Sequence, residues 1–304
     1  MCGKRIGGPC PTGTPDGFRA RGRRVGDHGP RSASVRRVVG KGSRVSVAGR
    51  EVGELERIAN PLPPCPEGPR PFEASRTVRL GDTDIEENLR LDAIARYAMD
   101  LGYDNLGAVP EGDLHPAWIV RRTVIDVLHP IHFSERVHMR RWPSALSNRW
   151  CNIRCQFRSE DGGLIETEQF LINIDLEAGR MARMTEPFMD SMRPFTTEHR
   201  LRWKAALRES AEPTAQQTPY PLRVTDIDRH GHVNNAVHWA AVAEGMALHA
   251  HPATAPYRVI LEHAGPIMTG DKVTMRTWPG DDGLRVQLEV DGTARTLARV
   301  EPLA

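Results

Sequence analysis

The segments VLHPIHFSERVHMRRWPS (residues 127–144) and EHAGPIMTGDKVTMRTWPG (residues 262–280) share one pattern. In both, a Pro-Ile pair is followed by an acidic and a basic residue, then by Val-x-Met-Arg and a Trp-Pro pair. Pro130 corresponds to Pro266, an offset of 266 − 130 = 136 residues. A pattern of this length that occurs twice predicts two copies of one structural unit.

A second match precedes the first and occurs in the same order in both copies. RLGDTDIEENLRLDAIARYA (residues 79–98) aligns with RVTDIDRHGHVNNAVHWAAV (residues 223–242), and Asp82 corresponds to Asp226 at an offset of 226 − 82 = 144. The two offsets differ by 144 − 136 = 8 residues, which a longer loop in the first copy would explain. The order of the two matches supports a duplication.

Each copy predicts a short extended stretch, a helix and then about four strands. Apolar residues recur at helical spacing in both copies: Leu91, Ile94, Ala95, Ala98 and Leu101 in the first, and Val233, Val237, Ala240, Ala241 and Met246 in the second. The runs that follow alternate or cluster apolar residues and are separated by turns such as SEDGG, GDDG and DGT. One helix packed on a curved antiparallel sheet is a two-layer α+β unit, and two such units can join edge to edge.

Composition places the chain among globular proteins with a polar surface. Of its 304 residues, 39% are hydrophobic and 26% are charged, and the net charge of +2 does not indicate nucleic-acid binding. No apolar run is long enough for a transmembrane helix. The five cysteines have no framework spacing, which favours a reducing compartment and a cytoplasmic location. Cys151 and Cys155 are predicted to be ordinary buried thiols rather than zinc ligands.

The first part of the chain differs in amino-acid composition from the rest. Residues 1–70 are rich in Arg, Gly, Ser and Pro and cannot bury enough apolar surface to offset their ordering entropy. We therefore predict a disordered extension over residues 1–70, a first folded unit over 71–200 and a second over 201–304.

The segment DIDRHGHVNN (residues 226–235) places titratable and amide side chains directly before a predicted helix. A histidine can act as a general base, an aspartate can orient it, and N–H groups at a helix start can donate to a developing negative charge. We identify Asp228, His230 and His232 as candidate catalytic residues. Two alternatives are a zinc site formed by these three residues and a polar helix cap with solvated histidines.

This segment resembles the D-x-N-x-H-V-N-N motif of the acyl-acyl-carrier-protein (acyl-ACP) thioesterases. The matching residues are Asp228, His232, Asn234 and Asn235, and His230 stands where that family has an asparagine. Glu244 matches a glutamate on the family's following helix, and Trp118 begins a stretch similar to its tryptophan-valine-valine strand. The resemblance covers residues 72–302 and implies a double hotdog fold, with Asn234, Asn235, Glu244 and Trp118 supporting the loop or binding substrate.

The chain departs from the family pattern at one point. The family places a catalytic glutamate on the strand before a Gly-Asp turn, but residues 265–271 (GPIMTGD) contain neither glutamate nor cysteine. In the first copy, Asp84 corresponds to Asp228, whereas Asn88 stands where His232 stands. We therefore expect the first copy to be structural and to line a tunnel for the acyl chain.

The resemblance implies a thioesterase that releases fatty acid from acyl-carrier protein. The alternatives are an acyl-CoA thioesterase on the same scaffold and a non-catalytic acyl-binding protein. An acidic carrier protein or the phosphates of coenzyme A would be steered by basic residues, and we expect these to include Arg121, Arg122, Arg140, Arg141 and Arg149. No cofactor, metal, nucleic acid or membrane insertion is expected, and a homodimer is possible.

Overall fold

A computed structural model describes residues 60–208, 211–249 and 254–303. In these ranges the chain forms one large antiparallel sheet and three α-helices. None of the helices in the described ranges is both long enough and apolar enough to cross a membrane. The disorder predicted for residues 1–59 falls outside the described residues.

The first copy of the repeat contains one long helix and five strands. In chain order these are β1 (Phe72–Thr77), α1 (Leu91–Leu106), β2 (Trp118–His129), β3 (Arg136–Leu146), β4 (Trp150–Ser159) and β5 (Leu164–Asp175). A connecting segment with the short strand β6 (Arg180–Met181) and the short helix α2 (Glu186–Met192) follows. The second copy consists of β7 (Gln216–Tyr220), α3 (Asn235–Leu248), β8 (Tyr257–His263), β9 (Val273–Gly280), β10 (Gly283–Val290) and β11 (Thr293–Pro302).

The sheet shows the duplication directly. Its strand order is β1-β3-β4-β5-β2-β8-β11-β10-β9-β7, so each half repeats the other when read inward from its own edge. Trp142-Pro143 lies on β3 and Trp278-Pro279 lies on the corresponding β9. Pro130 and Pro266 follow β2 and β8, the two strands that join the halves. The predicted α+β architecture of two tandem units is confirmed.

The two long helices pack against each other and on one face of the sheet. In α1, the predicted stripe of Leu91, Ile94, Ala95, Ala98 and Leu101 is buried. Asp92 in the first turn interacts favourably with the positive end of the helix dipole. One apolar core therefore runs through both units, and the helices present their N-termini to the loops that precede them.

The strands that join the two units carry ion pairs on the sheet face away from the helices. Asp126 and Arg258 are opposite each other in the β2–β8 register and form two hydrogen bonds of 2.7 Å. Their side chains are only 3% and 10% exposed. Arg122 and Glu262 form a second pair in the same register at 3.3 Å. Charge complementarity thus fixes how the two units pair.

Residues 60–70 do not follow the prediction of disorder. This segment lies against the outer sheet face, where Leu62 packs on the small cluster around Val124. The carbonyl of Asn60 accepts a hydrogen bond of 3.1 Å from Arg258, and that of Pro63 accepts one of 3.2 Å from Arg154. Composition was misleading here because the segment gains its order from buried arginines of the sheet, which need its carbonyl oxygens.

Candidate functional site

The backbone of the 226–235 loop is held at both ends by Asp226. Its carboxylate accepts a hydrogen bond of 2.8 Å from the N–H of Arg223, and its carbonyl accepts one of 2.8 Å from the N–H of Asn234. The side chain of Asn234 caps α3 by accepting a bond of 2.9 Å from Ala236 N. Gly231 has a φ of 78°, a conformation that glycine adopts without strain. The loop is therefore a defined turn that delivers its side chains to the start of α3.

Asp228 and His232 face each other across this turn. Asp228 Oδ2 lies 3.4 Å from His232 Nδ1, and Asp228 Oδ1 accepts a hydrogen bond of 2.8 Å from the backbone N–H of His230. The side chains of His232 and Asp228 are 36% and 20% exposed. One carboxylate oxygen thus holds the turn, while the other is free to orient the His232 ring.

His230 completes the group of three. Its ring stacks on that of His232 with centroids 5.6 Å apart and planes inclined by 21°. Arg229 Nε lies 3.3 Å from His230 Nε2, and the Arg229 guanidinium lies over the Tyr103 ring of α1 at 5.7 Å. The structure therefore brings Asp228, His230 and His232 together, as the motif predicted, and places them against the first unit.

The segment after β8 makes backbone contacts with the 226–235 loop. Val233 N donates to the carbonyl of Ile267 at 2.8 Å, and His232 forms an isolated β-bridge with Met268. Met268 N in turn donates to the Asp271 carboxylate at 2.7 Å. The carboxylate of Asp271, the acidic residue in GPIMTGD, thus accepts a hydrogen bond within its own turn. No carboxylate of residues 265–271 takes the place of the family's strand glutamate.

A cavity of about 510 Å³ opens beside the three side chains. Asp228, His230 and His232 form one wall, and Met99, Tyr103 and Trp118 of the first unit contribute to the opposite wall. The candidate site is therefore built from both units of the repeat.

A second cavity of about 370 Å³ lies inside the first unit, between α1 and the sheet. It shares Met99, Tyr103, Trp118 and Asn235 with the first cavity, so the two adjoin. Its lining is largely apolar and includes Val109, Val120, Ile153, Leu171, Phe188 and Met192. The predicted lining of an acyl tunnel by the first unit matches this position.

Small residues on α1 leave the space for this cavity. At the 144-residue offset, Ala98 corresponds to Val242, and Gly102 corresponds to Met246 of α3. Val242 and Met246 are buried in the second unit, whereas Ala98 and Gly102 line the cavity of the first. The alignment of the two copies could have predicted this cavity, because α1 has smaller side chains than α3 at equivalent positions.

Trp118 is fixed where the two cavities meet. Its indole Nε1 donates to the His115 carbonyl at 2.8 Å, and its ring packs on Phe188 of α2 at 6.0 Å. The same Phe188 ring lies 4.5 Å from the ring of His115. The short helix α2, which the sequence did not predict, thus closes one side of the acyl-sized cavity.

The structure does not bring Glu244 to the site. Asn235 begins α3 and lines both cavities, but Glu244 lies on the same helix about 14 Å further along its axis, at a rise of about 1.5 Å per residue. Its side chain is exposed and lines neither cavity. The role of Glu244 in supporting the loop or binding substrate stays a prediction, and its exposed position places it outside both cavities.

Other histidines of the second unit have a different environment. His238 and His263 are buried with ring centroids 4.7 Å apart, and His238 Nδ1 lies 2.6 Å from Thr296 Oγ1. Burial lowers the pKa of His238 to about 4 and lowers that of His263 well below its ordinary value. Both are therefore neutral core residues near pH 7.

The alternative of a metal site is not supported by the side-chain arrangement. Among the described residues, no group of three His, Cys, Asp or Glu side chains is arranged to hold a metal ion. Cys151 and Cys155 are buried free thiols on β4.

The basic residues expected to steer a carrier are mostly engaged within the chain. Arg122 pairs with Glu262 at 3.3 Å, and Arg140 pairs with Glu73 at 3.4 Å. Arg141 lines the inner cavity. These three arginines do not form a free basic surface.

The fold and the site define a double hotdog protein with a candidate acyl-thioester site. The family model of the acyl-ACP thioesterase N-terminal domain matches residues 69–192, and that of the C-terminal domain matches residues 209–298. The chain therefore belongs to the acyl-ACP thioesterase family and is a thioesterase. It is also 39% identical over 227 residues to the uncharacterized protein Rv2001 of Mycobacterium tuberculosis, covering 74% of this chain and 90% of that protein.

Solved structures share the fold at low sequence identity. A putative oleoyl thioesterase from Lactobacillus plantarum superposes with a TM-score of 0.64 at 18% identity, covering 76% of this chain and 94% of that one. The 12:0-ACP thioesterase from Umbellularia californica gives 0.61 at 16% identity, with coverages of 76% and 96%. An acyl-ACP thioesterase from Bacteroides thetaiotaomicron gives 0.62 at 12% identity, with coverages of 82% and 98%. The double hotdog architecture is shared along nearly the whole length of these proteins.

Proposed function

We propose that this protein hydrolyses fatty acyl-ACP to free fatty acid in the cytoplasm, as part of fatty acid biosynthesis, and that the 226–235 loop is its active site. The observation that carries the proposal is the position of this loop. Asp228, His230 and His232 line one cavity, and the largely apolar cavity of the first unit adjoins it, so that an acyl chain in the apolar cavity could place its carbonyl beside the histidines. Membership of the acyl-ACP thioesterase family supports the carrier.

In the proposed reaction, His232 acts as the general base. Its ring takes a proton from water as the water oxygen bonds to the thioester carbon, which pushes an electron pair onto the carbonyl oxygen. The intermediate then collapses, the carbon–sulfur bond breaks, and the carrier's thiol leaves with the proton from His232. Asp228 Oδ2, 3.4 Å from His232 Nδ1, orients the ring and stabilises its charged form.

The oxyanion requires donors at the same place. Asn235 begins α3 and lines both cavities, so its N–H belongs to the first turn, where N–H groups lack helical acceptors. His230 stands in the position of the family's asparagine and donates a hydrogen bond from its ring. These donors and the Asp228–His232 pair account for hydrolysis without a glutamate in residues 265–271.

The carrier is tested by comparing acyl-ACP with acyl-CoA of the same chain length, from octanoyl to octadecanoyl. We expect a higher kcat/KM for acyl-ACP by at least about tenfold, which corresponds to about 1.4 kcal/mol of additional transition-state stabilisation. Equal or faster turnover of acyl-CoA would contradict the carrier assignment while leaving the hydrolase intact. Tight binding of acyl chains without turnover of either substrate would indicate a non-catalytic acyl-binding protein.

A further inference from the structure

The inner cavity of the first unit carries positive charge at one end. Arg141 on β3, which is half-buried, and Arg70 just before β1, which is exposed, both line it, and none of the described residues that line it is Asp or Glu. A cavity for a plain hydrocarbon chain needs no cation, because it is unfavourable to withdraw an unpaired charge from water. The presence of Arg141 in this lining therefore requires an explanation.

The Arg141 guanidinium is incompletely satisfied. Its Nη1 donates to Asn105 Oδ1 at 2.5 Å, but its buried Nε has no hydrogen-bond partner. The thiols of Cys151 and Cys155 interact electrostatically with Arg141, and burial raises the pKa of the Cys151 thiol to about 12, so that it is neutral. Burial also lowers the pKa of Arg141. An anion or an oxygen acceptor in the cavity would meet an unoccupied donor.

The fold does not require an arginine at this position. At the repeat offset of 136, Arg141 corresponds to Thr277, and at the offset of 144, Asn105 corresponds to His249. In the second unit these two residues form a hydrogen bond, with His249 Nε2 2.7 Å from Thr277 Oγ1. The same junction between helix and sheet thus contains a threonine and a histidine in one copy, and an arginine and an asparagine in the copy with this cavity.

Arg141 lies on a strand three positions away in the sheet from that of Trp118, where the two cavities adjoin. The sheet order β3-β4-β5-β2 separates it from Trp118, the residue shared with the cavity beside the histidines. Three strand spacings correspond to roughly 14 Å. An acyl chain whose carbonyl lies beside the histidines would therefore bring its far end, rather than its first carbons, to Arg141.

We propose that Arg141 forms a subsite for an oxygen acceptor at the far end of the acyl chain, and that the enzyme prefers ω-carboxyacyl thioesters over unsubstituted ones. This inference rests on the proposed function. A guanidinium pairs with a carboxylate through charge-assisted hydrogen bonds, and the free Nε provides one of the donors. A hydroxyl or keto oxygen at the chain end satisfies the same donor with less energy, because it carries no charge.

The test compares ω-carboxyacyl, ω-hydroxyacyl and unsubstituted acyl thioesters of equal length, from octanoyl to tetradecanoyl. The unmutated enzyme should show at least about tenfold higher kcat/KM for the ω-carboxyacyl substrate at its best length. Arg141→Met should remove that preference and raise kcat/KM for the unsubstituted chain. Arg140→Met is the matched control, since Arg140 is adjacent on β3, points to the opposite face and pairs with Glu73.

Two results would overturn the subsite. One is a preference for unsubstituted chains at every length together with an Arg141→Met variant that leaves the substrate ratio unchanged. The other is a change in preferred length in Arg141→Met without any effect of the terminal carboxylate, which would make Arg141 only the end wall of the cavity.

If no thioester is hydrolysed, the proposed function is contradicted, but the subsite can still be tested by binding. Calorimetric titration with dodecanedioic and dodecanoic acids then decides the subsite, and equal affinities would contradict it.

Discussion

At the scale of single residues, the two carboxylate oxygens of Asp228 have different partners. Oδ1 accepts from the His230 N–H at 2.8 Å, and Oδ2 faces His232 Nδ1 at 3.4 Å. An aspartate in this position fixes the ring of a general base without itself contacting the attacking water. This geometry favours the orienting role for Asp228 over the alternative in which Asp228 is the base.

We therefore expect Asp228→Asn to lower kcat by about 10- to 100-fold, less than the loss of His232 itself. The asparagine side chain retains an oxygen that accepts from the His230 N–H, so the turn should persist. Steady-state kinetics on both variants, with circular dichroism as a check of folding, provide the measurement. A loss in Asp228→Asn greater than that in His232→Ala would identify Asp228 as the base.

The sequence determines the relative positions of Asp228, His230 and His232 more closely than the position of Glu244 relative to them. Asp228, His230 and His232 lie in one tight turn, so their spacing along the chain largely determines their spacing in the structure. Glu244 lies nearly three turns along α3, where a small rotation of the helix separates a site residue from an exposed one. Arg141 was recognised as a basic residue, but its direction into the cavity depends on the pleat of β3 and could not be read from the residue itself.

At the scale of elements, the difference between α1 and α3 leaves room for the inner cavity of the first unit. Both helices were predicted from apolar periodicity, and both occupy the same place in their units. Only a comparison of side-chain volume between the copies shows that Ala98 and Gly102 leave space that Val242 and Met246 fill. The short helix α2 escaped prediction because its seven residues are too few for a periodic pattern.

Replacing Gly102 by Met, the residue at the equivalent position of α3, should shorten the preferred acyl chain. A Cβ at Gly102 meets only the Arg141 guanidinium at 3.8 Å, so the first carbon fits and the rest of the side chain extends into the cavity. We expect kcat/KM for the longest accepted chains to fall at least about tenfold, a loss comparable with that of a few buried methylene groups. Gly107→Ala is the control, since Gly107 follows α1 with helical φ and ψ and does not line the cavity. An unchanged chain-length profile in Gly102→Met would contradict this path for the acyl chain.

The buried pair at the β2–β8 joint should contribute strongly to folding stability. The Asp126→Ala change removes the carboxylate partner of the buried Arg258 guanidinium. We expect it to lower the free energy of unfolding by about 4 kcal/mol. Urea unfolding of the single variant and of Asp126→Ala with Arg258→Met gives the comparison. The double variant should recover much of the loss, because it removes the unpaired charge. Equal stability of the single variant and the unmutated protein would show that the pair is not needed to hold the units together.

At the scale of the whole molecule, the duplication was the most predictive feature of the sequence. Two matched segments with offsets of 136 and 144 predicted two equivalent units and the equivalence of Trp142 with Trp278, and the strand order of the sheet agrees with both. The boundary of the folded part was less predictable. Order in residues 60–70 comes from tertiary hydrogen bonds to Arg154 and Arg258, which local composition does not reveal.

Two truncated chains test this boundary. A chain that begins at Asn60 should fold and keep its thioester turnover, whereas one that begins at Pro71 loses the carbonyl acceptors of buried Arg154 and Arg258. Each lost acceptor costs about 1–3 kcal/mol. We expect the Pro71 chain to unfold at distinctly lower urea concentration than the Asn60 chain. Equal midpoints would show that residues 60–70 add nothing to stability.

The most direct test of the account is acyl-ACP hydrolysis by the unmutated protein, His232→Ala and the matched control Asn88→Ala. Asn88 occupies the equivalent turn of the first unit, with its N–H 2.8 Å from Asp84 Oδ1 and a corresponding bridge to His132. We predict that His232→Ala loses about 100-fold or more of kcat, the range of a positioned acid–base group, while Asn88→Ala stays within about twofold of the unmutated enzyme. Full turnover by a folded His232→Ala variant would contradict the catalytic role of the 226–235 loop.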